Sequence, residues 1–100
     1  MNIPKSFNLF GQVITVEYRN SLYRTHKATG LWIPVENKIL LQCNTSYYKI
    51  TKEQIEQTFI HEAVHACFEL LNYKNLNEDE QLVDNFAALL HQMLTTQKFN

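Results

Sequence analysis

Residues 51–71 constrain the fold more than any other stretch of this chain. Thr51-x-x-Gln54 is a capping box, in which each side chain satisfies a backbone amide of the other residue, so a helix is expected to begin near Lys52. From there Ile55, Phe59, Ile60, Ala63, Val64, Ala66, Cys67, Leu70 and Leu71 cover most of the helix circumference. A helix that is apolar nearly all round belongs in an interior. Its remaining arc carries Thr58, His61, Glu62, His65 and Glu69. That single polar arc must face a partner or a cleft.

His61 and His65 are four residues apart, so both imidazoles leave one face of the helix and can address one Zn²⁺. Glu62 stands about 100° round the helix from His61, close enough to reach a water beside such an ion without ligating the ion itself. The stretch His61-Glu62-x-x-His65 therefore supplies two nitrogen ligands and a base together. The plainer alternative, a helix with two exposed histidines, leaves the apolar circumference unexplained.

The rest of the composition narrows the setting. One hundred residues, 45% hydrophobic and 19% charged, make one domain spanning 1–100 whose core needs no staples. A net charge of −1 gives no electrostatic basis for binding nucleic acid or an anionic membrane. Cys43 and Cys67 do not make a disulfide framework, and Cys67 reads as a small buried apolar residue of the helix. The first eight residues have neither the apolar core nor the cleavage site of a signal peptide, and no apolar run is long enough to span a bilayer. The expected compartment is the reducing cytoplasm.

In chain order, residues 6–19 read as two short strands broken at Gly11, because the β-branched run around Val13 favours extended chain. Residues 20–30 read as a solvated loop, with a substrate-facing role for His26 as the other reading. Residues 31–35 form a strand whose Pro34 places it at an edge or a strand end, and 39–43 a second strand, so 31–43 is a hairpin. A second helix is expected from Asn77, capped through Asn77-x-x-Glu80, to about Thr95. Leu82, Val83, Phe86, Leu89, Leu90, Met93 and Leu94 would form its core stripe. The fold class is α+β, a small antiparallel sheet in the N-terminal half packed on two neighbouring C-terminal helices.

A catalytic zinc needs a third protein ligand and one position left for water. Glu69 lies about 12 Å along the helix from His61, too far to share a metal. His91 lies some 16 Å along its helix from Glu80 and cannot join a site built there. The acidic start of the second helix, Glu78, Asp79, Glu80 and Asp84, is the better source. Glu80 and Asp84 share a face beside Ala87 and Ala88, whose small side chains would let two helices approach closely. Tyr47, Tyr48 and Tyr73 are candidates to hydrogen-bond an oxyanion, although buried aromatics are the commoner use of such residues.

His61-Glu62-x-x-His65 on one helix, followed by Glu80-x-x-x-Asp84 on the next, resembles the gluzincin metallopeptidases, the thermolysin-like group. The resemblance implies Glu80 as third zinc ligand and Asp84 as the carboxylate that hydrogen-bonds His61 and orients it. The small size and the run Glu80-x-x-Val83-x-x-Phe86-Ala87 are also similar to the minimal zincins of phages and mobile elements, of the ImmA/IrrE type, which cleave repressors. It is specific over residues 57–90. It implies a minimal zincin-like fold and a zinc-dependent endopeptidase, with Glu62 activating a zinc-bound water. The substrate would be a repressor or other regulatory protein or peptide, laid along Ile39–Cys43 or Leu31–Val35. The chain departs from the thermolysin-like pattern in lacking a large second lobe and a histidine placed for transition-state stabilisation. A domain this small has little surface for a deep cleft, so the alternative expectation is a zinc-binding interaction or regulatory module with little hydrolytic activity.

Overall fold

Val13-Ile14-Thr15-Val16 extends because branched side chains fit a pleated surface better than a helix. The run lies in the longest strand of the computed structural model, which describes all 100 residues. That strand, β2 (Gln12–Arg19), pairs antiparallel with β1 (Ser6–Leu9) across the two-residue turn Phe10-Gly11. Both turn residues have positive φ, 49° and 76°, the mirror-image turn whose twist matches that of paired strands. A short helix, α1 (Leu22–His26), leads to β3 (Gly30–Ile33). Pro34 ends β3 because it has no amide to offer a ladder, and a 3₁₀ turn over Pro34–Glu36 reverses the chain into β4 (Lys38–Gln42).

The fold is α+β as expected, but its four-stranded sheet is mixed rather than antiparallel. The strand order is β1-β2-β4-β3, and β4 runs parallel to β2 with Val16 opposite Ile39. After β2 the chain passes through α1 to β3 at the far edge, then turns back to fill the gap. The reason lies in β4 itself. Ile39, Leu40 and Leu41 are buried in succession, the signature of an interior strand, whereas β3 is only half buried along its length. Of the two strands expected to receive a substrate, Ile39–Cys43 therefore has no free edge, and β3 has one.

Helix α1 stands where the sequence reads as loop. Its first turn is held from outside: the buried Gln42 side chain accepts from the Tyr23 amide at 2.7 Å. The same side chain donates to the carbonyls of Asn20 and Cys43 at 2.9 Å. Five residues are too few for a helix to stand on local propensity, so a buried amide from β4 decides this one.

Helix α2 (Lys52–Leu70) opens on the expected box: the Gln54 amide donates to Thr51 Oγ1 at 3.1 Å, and the Thr51 amide to Gln54 Oε1 at 2.9 Å. It lies against β3 and β4 on one side and against α4 (Glu80–Thr95) on the other. The core joins Ile14, Ile39 and Leu41 of the sheet to Phe59, Ile60 and Val64 of α2 and to Val83 and Ala87 of α4. The second helix begins at Glu80, not Asn77. A separate turn of helix, α3 (Lys74–Glu78), precedes it, and Asp79 is the cap, accepting from the Leu82 amide at 3.0 Å. Of the stripe expected to be core, Val83 is buried and Leu90 packs against the core, while Leu82, Phe86, Leu89, Met93 and Leu94 are exposed. No helix is long and apolar enough to cross a membrane.

Helices α2 and α4 are also tied by charge. Glu56 is buried, accepts from His91 Nε2 at 2.9 Å, and meets the Met1 ammonium at 3.3 Å. The hydrogen bond from His91, followed by the contact with the ammonium, holds the Glu56 carboxyl below its ordinary value of 4.5. A carboxyl depressed in the folded state adds stability that is present above its unfolded value and fades as pH falls through the folded one. Glu56→Gln is thus expected to lower stability by about 1–2 kcal/mol at neutral pH. The difference from wild type should shrink in acid below the ordinary carboxyl value. Thermal melts followed by circular dichroism across that range check it; a difference independent of pH would exclude a charged role for Glu56.

Candidate metal centre

Thr58, His61, Glu62 and His65 lie on the face of α2 that turns away from the core towards an open cleft of about 870 Å³. The rest of the wall comes from the α1–β3 segment, β3 itself, residues 48–50 before α2, and the start of α4. Tyr23 and Tyr48 stack at 4.9 Å at one end, with the Lys27 ammonium over the Tyr23 ring. Of the three tyrosines singled out in the sequence, Tyr48 lines the cleft. Tyr47 and Tyr73 are exposed outside it, and so is His26, whose ring bonds Thr25.

The antiparallel crossing of α2 and α4 brings the first turn of α4 over the two histidines. Glu80 Oε1 lies 3.0 Å from His65 Nε2, and Glu80 Oε2 lies 3.3 Å from His61 Nε2. One donor atom from each of these three residues falls within 4.8 Å of the others. Donors around a tetrahedral zinc at about 2.0–2.1 Å sit roughly 3.3 Å apart, close to the two distances from Glu80 to the histidines. Asp84, one turn along α4, places Oδ1 3.4 Å from His61 Nδ1.

A residue missed in the sequence completes the arrangement. Asn77, at the end of α3, places Oδ1 2.6 Å from His65 Nδ1. The sequence reading assigned Asn77 to a helix cap, and only its position 12 residues from His65, at the mouth of a short linker, hinted at more. The Asn77 carbonyl accepts from His65 Nδ1, and the Asp84 carboxylate beside His61 Nδ1 attracts that ring's proton to the same nitrogen, so the ring protons sit on the Nδ1 atoms. Both Nε2 lone pairs then face the oxygens of Glu80. Two imidazole lone pairs and a carboxylate at such distances repel unless a positive charge sits among them. A proton or a cation answers that need, and the donor set of two nitrogens and one carboxylate suits zinc.

Glu62, on the wall of the same cleft, tucks beneath β3. Its side chain is 9% exposed, and burial raises its carboxyl above the ordinary 4.5, against the pull of His61 and His65. Glu80 adds to the rise, and the Trp32 amide of β3 opposes it. The fit under the strand is close. A Cβ built on Gly30 would stand 2.5 Å from the Thr58 methyl and 3.1 Å from Glu62 Cγ, so any side chain there would push α2 off β3. Glu69, too far along α2 to reach the cluster, instead accepts from the Trp32 indole at 3.2 Å and anchors the same strand. Cys67 is half-buried, and burial pushes its thiol up, which keeps it protonated and unsuited to metal. No family model, curated protein or solved structure matches the chain.

Proposed function

We propose that this protein is a minimal zinc metallopeptidase of gluzincin type, with zinc held by His61, His65 and Glu80. The observation that carries the reading is the pairing of that donor cluster with a separate, buried carboxyl, Glu62, under the free edge of β3. Zinc bound there would supply Lewis acidity, polarising a carbonyl and acidifying water. Asp84 and Asn77 hold the two imidazoles with Nε2 turned inward. Glu62 has a raised proton affinity, which suits a group that takes a proton from water and returns it to a leaving amine. A peptide can add to the unpaired side of β3 by main-chain hydrogen bonds, which would draw its backbone past Glu62. Such binding selects extended, unfolded segments, in keeping with action on a regulatory protein.

Protein purified without a histidine tag is expected to carry about one zinc per chain, since the cluster forms a single site. It should also cleave an unfolded protein substrate. Elemental analysis and a peptidase assay on the same sample test both. Metal-free protein that also takes up no added zinc overturns the reading. Stoichiometric zinc without cleavage of any unfolded substrate would favour a zinc-binding interaction module on the same fold.

A further inference from the structure

A buried side chain holds one end of the cleft in shape. Gln42 of β4 is 2% exposed, and it binds the Tyr23 amide and the Asn20 carbonyl, which fixes the entry and the first turn of α1. What α1 brings to the cleft is Tyr23 and Lys27. The Tyr23 ring stacks on Tyr48, and the Lys27 ammonium lies 5.9 Å from the Tyr23 centroid. Lys27 closes α1 with a φ of 55°, a left-handed conformation ordinarily left to Gly or Asn. Strain of that kind gathers where a side chain is needed for something other than the fold. Lys49, just before α2, lines the same end of the cleft. Neither ammonium has a carboxylate within ion-pair distance; the lysines that do are Lys38, Lys52 and Lys74. Single unpaired lysines are ordinary. Here, however, the carboxylates that line the cleft, Glu62, Glu80 and Asp84, all stand at the metal end, so the cleft is divided by charge.

We infer that this end of the cleft is a subsite for an acidic side chain of the substrate, with Lys27 setting the preference and the Tyr23–Tyr48 stack as its wall. The inference rests on the peptidase reading for the bond that is cut, but not for the binding itself. The distances suit a peptide. Gln54, Thr58, His61 and His65 form one stripe of α2 along the cleft, and Gln54 to His61 spans about 10 Å of helix. Lys27 lies three residues before Gly30, where an added Cβ would stand 3.2 Å from Glu62 Oε2. Extended chain rises about 3.3 Å per residue, so both measures place the ammonium roughly three residues from a bond held beside Glu62. The backbone favours the same path. The Thr29 carbonyl accepts from the Gln42 amide at 2.9 Å, and the alternation of an antiparallel pair then turns the amide and carbonyl of Gly30 to the free side of β3. A peptide paired there and running on passes Lys27. The amino end of α2, the positive end of its dipole, lies at this end too. A carboxylate at the subsite meets two unpaired cations, whereas a basic side chain meets like charge.

Two measurements test the subsite, one of them without catalysis. Trp32, the single tryptophan of the chain, lines the cleft, so its fluorescence reports occupancy. Short end-blocked peptides of Ala and Thr with one central Glu, Gln or Lys are titrated into the Glu62→Gln variant. Affinity should fall in that order, by about ten-fold from Glu to Lys at low salt and by less at high salt. Adding Lys27→Glu should reverse the order, and Lys27→Arg should keep it. Lys27→Gly, which fits the left-handed position without the charge, should flatten it. Each readout is a ratio within one variant, so a change in overall affinity cancels. In the second measurement wild type digests an unfolded protein and the cuts are mapped by mass spectrometry. Asp and Glu should be enriched about three residues from the cut, on one side of it. No binding of any peptide, equal binding of all three, or an order that Lys27→Glu leaves unchanged overturns the inference. So does an enrichment confined to free carboxyl termini, which would assign the lysines to a chain end. Cuts that ignore acidic residues remove the subsite and leave the peptidase reading; the expected binding order without any cut keeps the subsite and removes that reading.

Discussion

Glu62→Gln is expected to keep one zinc per chain and to lower peptide hydrolysis by about 10²–10⁴-fold, the contribution of a positioned general base. Glu62 stands outside the His61, His65 and Glu80 cluster, so its loss removes no ligand. Gln has nearly the same volume, so the contact with Gly30 survives and the fold is undisturbed. What the variant cannot do is accept a proton. The check is kcat/KM on a peptide that wild type cleaves, with zinc content and circular dichroism on the same preparation. Loss of zinc would move Glu62 into the ligand set, and full activity would remove it from the mechanism.

Glu80→Ala is expected to weaken zinc binding more than any other change outside the histidines. It deletes the one carboxylate that touches both Nε2 atoms. Asp84→Ala and Asn77→Ala act through the rings, the first on His61 and the second on His65, and each should cost about 10–100-fold in affinity. Glu69→Ala should leave affinity unchanged, because Glu69 bonds Trp32 and not a histidine. Competitive zinc titration of the four variants, each checked for folding, gives the ranking. If Asp84→Ala proved the weakest, the ligand would lie one turn further along α4. If none differed from wild type, the third ligand would lie elsewhere. The position of Glu80 adds to its role. As the first residue of α4 it sits where the helix dipole favours negative charge, and it remains exposed to the cleft.

Much of this site was legible in five consecutive residues. His61 and His65 share a face whatever the rest of the chain does, because four residues make about one turn. The start of α2 was equally local, since Thr51 and Gln54 bond only each other's amides. The turn at Gly11 and the end of β3 at Pro34 follow from backbone limits of single residues. The meeting of α2 with an acidic turn of the next helix followed from a short linker and two alanines.

Four features needed the tertiary structure. The place of β4 beside β2 depends on pairing between strands some 23 residues apart, which alternation within a strand does not encode. The helix at Leu22–His26 depends on one amide side chain from β4, and the bond from Asn77 to His65 on a break between α3 and α4 that the apolar spacing runs straight across. The exposed line on α4 is the clearest case. Leu82, Phe86, Leu89 and Met93 have the period of a buried face. Period reports that a face is apolar, because it arises from the turn of one helix. Which surface covers that face depends on the positions of other elements, and here α2 and the sheet bury the side that carries Val83 and Ala87 while Phe68 of α2 reaches only Phe86 of the other line.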